Sequence, residues 1–141
     1  MARVFLDTNI IVYAADDRER DKRDRARTLI ASLRSKAQGV VSTQVLCETY
    51  SIVTKKLGAP PLEAKTILRK LGELEVVILG PELIQKAIDC SILNQLSFWD
   101  ALIVAAAASA NCDTLWTEDL NHGQVIMGVR VENPLEAGDT R

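Results

Sequence analysis

The stretch Arg3-Val-Phe-Leu-Asp-Thr-Asn-Ile-Ile-Val12 changes character in its middle. Arg3–Leu6 reads as a short buried strand, Asp7-Thr-Asn ends it, and Ile10, Ile11, Val12 and Ala14 start a helix. A fully apolar strand followed at once by a helix is the opening of a parallel, helix-covered sheet. The rest of the chain repeats the pattern. Gly39–Ser42 is a second strand, Val76–Leu79 a third and Asp113–Thr117 a fourth, while Val125–Met127 and Val129–Val131 together form an edge strand.

Helices fill the intervals. The charged segment Asp16–Arg27 interrupts or bends the first helix, and Ala26, Leu29, Ile30 and Leu33 recur at i, i+3, i+4, i+7 in a second. Ser42 or Thr43 caps the next, which runs to about Leu57 before Gly58 and Pro60-Pro61. Another covers about Leu62–Leu71. Gly80-Pro81-Glu82 opens a helix reaching about Asn94, with proline in its first turn and an acid beside it. Ser97 caps Phe98–Ala110, whose alanine-rich apolar character makes it central and buried. The fold class is therefore α/β, a single three-layer α/β/α domain over 1–141 around a mostly parallel sheet, with a tail from about 134 loosely held.

Composition narrows the chemistry. With 48% apolar and 26% charged residues, the 141-residue chain is of ordinary globular type and long enough to fold without staples. Three cysteines, odd in number and without a CxxC pair, argue against a disulfide framework and for the cytoplasm. The longest apolar run, Ala101–Ala110, is about half a membrane span, so no membrane is expected. A single histidine, His122, excludes a multi-histidine zinc site within the chain, and no Gly-rich phosphate loop is present. Residues 18–70 carry thirteen Lys and Arg against five Asp and Glu, whereas the remaining segments carry a net charge of −10. That division suits a polyanion-binding surface beside an acidic centre, although taken alone it is explained more simply by two solvated Arg-rich helices.

Ligand crevices of open parallel sheets lie beyond the carboxyl ends of the strands. Asp7 and Asp119 follow strands one and four, Glu48 lies just over one turn into the helix after strand two, and Asp100 lies near the start of the helix before strand four. Each has a plain structural role open to it, as a cap for Asp7, Asp100 and Asp119 and as a solvated helix residue for Glu48. Gathered at one rim, four carboxylates repel, and a divalent cation relieves that cost. Mg²⁺ suits an all-oxygen site, and such ions activate water and stabilise the leaving oxygen in phosphodiester cleavage. Asn9 and Thr117 are neutral neighbours able to hold the carboxylates or the attacking water.

The segments Phe5-Leu-Asp-Thr-Asn, Val41-Ser-Thr-Gln-Val-Leu-Cys-Glu, Leu96-Ser-Phe-Trp-Asp-Ala-Leu-Ile and Trp116-Thr-Glu-Asp-Leu, in this order, resemble the PIN domain, most closely the VapC toxins of type II toxin–antitoxin systems. The likeness spans essentially the whole chain. It implies a Mg²⁺- or Mn²⁺-dependent endoribonuclease, a homodimer, and a cognate antitoxin whose tail blocks the acidic pocket. Asp7, Glu48, Asp100 and Asp119 take the acidic positions, with Asp7 and Asp100 foremost as metal ligands and Asn9 and Thr117 in support. Of the adjacent Glu118 and Asp119, Asp119 is favoured. Cys47 departs from the polar residue many relatives place before the glutamate, without touching the acidic set.

Other residues divide between roles. Arg23, Arg25 and Arg27, within Arg18–Arg27, and Lys55-Lys56 are candidates for RNA backbone contact. Trp99 and Trp116 are expected to pack near the site, with base stacking as the alternative, His122 to lie in a surface loop, and the cysteines to be buried small apolar residues. Three other functions compete. A haloacid-dehalogenase-type phosphohydrolase also starts with a strand ending in Asp, but Asn9 stands where its second Asp belongs and residues 87–129 contain no Lys. A non-catalytic RNA- or partner-binding module would be expected to have lost an acidic position, and none is missing. A PIN nuclease of RNA processing outside any toxin pair is the nearer alternative.

Overall fold

The computed structural model describes residues 2–136. β1 (Val4–Leu6) is buried along its whole length, which its continuous Val-Phe-Leu run requires of a strand covered on both faces. Asp7 then caps α1 (Thr8–Ala14), its Oδ1 accepting from the Thr8 N–H at 2.7 Å. The order continues with α2 (Arg20–Ser35), β2 (Gly39–Ser42), α3 (Thr43–Lys55), α4 (Pro61–Leu71), β3 (Glu75–Val77), α5 (Pro81–Asn94), α6 (Phe98–Ser109), β4 (Thr114–Trp116), β5 (Val125–Ile126) and β6 (Val129–Glu132).

The strands form one sheet in the order β3-β2-β1-β4-β6-β5, parallel throughout except for the β5–β6 pair. β1 sits between β2 and β4, with Leu6 level with Trp116, so Asp7 and Thr117 leave the sheet side by side. Ser42 Oγ accepts from the Val45 N–H to cap α3, and Ser97 Oγ accepts from the Asp100 N–H at 3.1 Å to cap α6. α6 is buried continuously from Ala101 to Ala107. Its alanines allow close approach, and Leu102 and Ala105 pack against Ala87 of α5. Among the described residues, no single helix is long and apolar enough to cross a membrane.

Four expectations change. The expected edge strand is a hairpin: Met127 and Gly128 both take positive φ (53° and 80°), as a two-residue type I′ turn demands, and β6 pairs with β4 while the two-residue β5 holds the edge. The break after α1 covers only residues 15–19, because Arg20–Arg27 join α2 and present Ala26 to the core. The tail expected to be loose from 134 is packed through Leu135, which is buried in the core cluster, while 137–141 lie outside the described residues. Cys90 and Cys112 are buried as expected, but Cys47 is exposed.

Candidate active site

Parallel register builds the centre of the site. One step past the paired ends of β1 and β4, the Asp7 N–H donates to the Trp116 carbonyl at 3.0 Å, and Thr117 Oγ1 donates to Asp7 Oδ2 at 2.8 Å. Thr117 is fully buried and its hydroxyl also accepts from the Asp119 N–H at 3.0 Å, which fixes the turn after β4. Asn9, in the first turn of α1, reaches the same place. Its Nδ2 donates to Asp119 Oδ2 at 3.0 Å and to Thr117 Oγ1 at 3.2 Å, and its Oδ1 accepts from the Glu118 N–H at 3.3 Å.

Asp7, Asn9, Glu48, Asp100 and Asp119 line one cleft of about 460 Å³. The carboxylates act on one another there. Burial pushes the Asp7 carboxyl up to about 7; the Thr117 hydroxyl and Thr8 N–H pull against it, and the Asp119 and Glu48 charges add to the rise. Burial raises Asp100 as well, Ser97 opposes the rise, and the same two charges reinforce it. Glu48 and Asp119 therefore face both Asp7 and Asp100 across the cleft.

The choice between neighbours after β4 is geometric. Glu118 Oε1 accepts from the Tyr13 hydroxyl at 2.9 Å, and Lys22 Nζ lies 4.0 Å from Oε2, so Glu118 is occupied at the rim between α1 and α2. Asp119, held by Asn9, is the one whose charge reaches Asp7 and Asp100.

Four acidic groups, two of them raised above the ordinary carboxylate range, form a donor set that gains from a hard cation. Asp7, Glu48, Asp100 and Asp119 offer only oxygen. Among the described residues no three His, Cys, Asp or Glu side chains stand ready to chelate an ion.

The basic candidates do not share one place. Arg23 pairs with Asp17 (2.8 Å) and Asp24 (3.0 Å), Arg25 Nε donates to the Pro134 carbonyl, and Arg27 Nε donates to the Ala14 carbonyl at 2.8 Å. All three thus tie α2 to its surroundings. Lys56 lines the acidic cleft, and Lys55 is exposed at the end of α3. A broader hollow of about 930 Å³ along the start of α2 is lined by charges held elsewhere, such as Arg18 by Asp16 and Asp17 by Arg23, and contains none of the four cleft carboxylates.

Trp116 packs against the core as expected, and His122 is exposed with its Nδ1 accepting from the Asn133 N–H. Trp99 departs from expectation. It is 62% exposed at the lip of the cleft, its ring edge-on to Phe98, because α6 turns its second residue outward.

Sequence reasoning missed Thr8 and Gln44, whose side chains donate to Glu48. The signal for Gln44 was its i, i+4 spacing to the glutamate on one helix. It also missed Asp16, buried and held by Arg18, which keeps its carboxyl below the ordinary range.

The family model for the PIN domain matches residues 4–125. A search of curated proteins returns no match. Among solved structures, the chain is similar to the sarcin–ricin loop cleaving toxin VapC20 of Mycobacterium tuberculosis, with a TM-score of 0.65, 20% identity, and coverage of 82% of this chain and 89% of that one. It is similar to VapBC2 of Rickettsia felis, solved with a DNA fragment from its promoter, with a TM-score of 0.67, 23% identity, and coverage of 92% and 96%. The DNA-bound VapBC of Salmonella typhimurium gives a TM-score of 0.67, 20% identity, and coverage of 94% and 98%. At these identities the likeness shows the fold.

Proposed function

Because the chain belongs to the PIN domain family, we propose that it is a divalent-metal-dependent endoribonuclease and the toxin of a type II toxin–antitoxin pair. The observation that carries this reading is the convergence of Asp7, Glu48, Asp100 and Asp119 on one cleft, with Asp7 held near neutrality by burial. Asp7 and Asp100 would hold the ion, with Glu48 and Asp119 beside them directly or through water. When bound, Mg²⁺ or Mn²⁺ supplies an activated water and stabilises the leaving oxygen of the phosphodiester.

The chain's own groups prepare that step. The hydrogen bond from Thr117 fixes Asp7 Oδ2, and Asn9 fixes Asp119, so both carboxylates keep their orientation as substrate enters. Lys56 supplies positive charge at the cleft for the RNA backbone, with Lys55 next to it. Arg23, Arg25 and Arg27 serve the backbone only where their intramolecular partners leave hydrogens spare.

The solved relatives support the toxin reading: one cleaves the sarcin–ricin loop and others are VapBC assemblies. The VapBC assemblies favour a cognate antitoxin as partner; the motif resemblance adds RNA, an antitoxin tail in the acidic cleft and a second copy of the chain, and the cysteine usage adds the cytoplasm as the setting. Ile88 and Ile92, one turn apart on α5, are exposed apolar residues, and Leu93 is exposed on the flank beside them, which favours a homodimer.

The test is RNA cleavage by the purified protein. Activity in Mg²⁺ or Mn²⁺ that stops in chelator and is abolished by Asp7→Asn is expected; unchanged cleavage in excess chelator overturns the nuclease reading. Growth arrest on induction, relieved by the product of an adjacent small open reading frame, tests the toxin reading.

A further inference from the structure

Glu48 stands more than one turn into α3, away from any strand end, so side chains must place its carboxylate. Thr8 Oγ1 donates to Oε1 at 2.7 Å, and Gln44 Nε2 donates to Oε2 at 3.2 Å. The second hydrogen of the same amide reaches the Trp99 carbonyl, 3.3 Å away in the first turn of α6 and one residue before Asp100. Both amide hydrogens are thus committed. A flipped amide would set its oxygen against a carboxylate and a carbonyl, both acceptors, so this orientation is the one the surroundings permit.

Gln44 is 8% exposed, and its Oε1 is buried with no hydrogen-bond partner among the described residues. An apolar side chain of equal length would avoid stranding that oxygen, so packing alone does not account for a glutamine here. What the amide does provide is a link between the helix carrying Glu48 and the turn carrying Asp100. Thr8 extends the link, since its N–H holds Asp7 Oδ1 while its hydroxyl holds Glu48.

We propose that Gln44 is a positioning residue which, with Thr8, fixes the Glu48 carboxylate and couples its place in the cleft to those of Asp7 and Asp100. The inference rests on the nuclease reading above. Residues that orient metal-proximal carboxylates typically matter by 10–100-fold in metal affinity or activity although they touch neither metal nor substrate.

Four variants test it. Gln44→Met keeps length and removes both donors; Thr8→Val keeps shape and removes the hydroxyl; Thr8→Ser keeps the hydroxyl; Gln44→Glu keeps shape and turns an oxygen on Glu48. Each is measured for kcat and KM on a model RNA in Mg²⁺, for Mn²⁺ affinity without RNA by electron paramagnetic resonance, and for melting in chelator. Gln44→Met and Thr8→Val are expected to melt close to wild type, to keep KM, and to lose about 10–100-fold in kcat or Mn²⁺ affinity. Thr8→Ser should retain both. Gln44→Glu should lose as Gln44→Met does, which keeps the test open if the methionine variant fails to fold. An active wild type with Gln44→Met unchanged in both kcat and Mn²⁺ affinity overturns the inference alone, as does a Gln44→Met that changes only the melting temperature. Equal losses in Thr8→Ser and Thr8→Val remove Thr8 from it. A wild type that neither cleaves RNA nor binds Mn²⁺ overturns the nuclease reading and this inference together.

Discussion

Thr117 Oγ1 donates to Asp7 Oδ2 at 2.8 Å although the two residues are 110 positions apart. The bond exists because β1 and β4 are paired in parallel register, and the same hydroxyl accepts from Asn9 and from the Asp119 N–H. Thr117→Val removes a donor that holds the Asp7 carboxyl down and strands buried partners. The variant should lose about 1–3 kcal/mol of stability, while Thr117→Ser should lose much less. Chemical denaturation of the two variants against wild type checks this.

Asp7 makes stability depend on pH. Burial raises its folded carboxyl from the ordinary 3.8 to about 7, so between these values the folded state binds the proton that the unfolded chain releases. Without metal, the folded protein should therefore lose stability as pH rises from about 4 to about 7, by something of the order of 4 kcal/mol. Asp7→Asn should flatten that dependence and be more stable than wild type above neutrality. Denaturant titrations across pH in chelator measure both; a wild type whose stability rises steadily over this window would contradict the buried, repelled carboxyl.

Asp100 separates a ligand from a cap. The cap of α6 is the Ser97 hydroxyl accepting the Asp100 N–H, which Asp100→Asn leaves in place. The variant should melt in chelator at or above the wild-type temperature, since a raised and repelled carboxyl is removed. Wild type should gain about 2.7 kcal/mol when Mn²⁺ stands at a hundred times Kd, and the variant should gain less. Equal gains would show that Asp100 does not bind the ion.

Salt dependence sorts the basic residues. Lys56→Ala should weaken RNA binding and flatten the slope of log K against log salt by up to about 0.7 per lost phosphate contact. Arg23→Ala and Arg27→Ala should act mainly on stability, because Asp17, Asp24 and the Ala14 carbonyl lose their donors. Filter binding over a salt series distinguishes the two behaviours; flattened slopes for the arginine variants would return α2 to the RNA surface.

Much of this was legible from residue patterns. Asp7, Asn9 and Thr117 stood out because a parallel sheet delivers the residues just past its strands to one rim, and Asp100 because Ser97 announced the start of α6. For Gln44 the i, i+4 spacing was the one signal, and it does not decide: a polar residue one turn before a glutamate looks the same whether it faces solvent or braces a carboxylate. The β5–β6 hairpin escaped because β5 is two residues long and so shows no alternation, although Met127-Gly128 carries the turn. The partners of Arg23, Arg25 and Arg27 depend on how the 15–19 loop and Pro134 return to α2, which no local period encodes.

The β1–β4 pairing has a consequence for biosynthesis. A ribosome delivers Asp7 early and Thr117 and Asp119 late, and β4 must pair with β1 before those residues meet. Contacts so distant along the chain require a long loop to close before they form, which makes them slow. A growing chain that has not yet reached β4 thus holds Asp7 without Thr117 or Asp119, and the cleft that gathers the four carboxylates waits on the β1–β4 pairing.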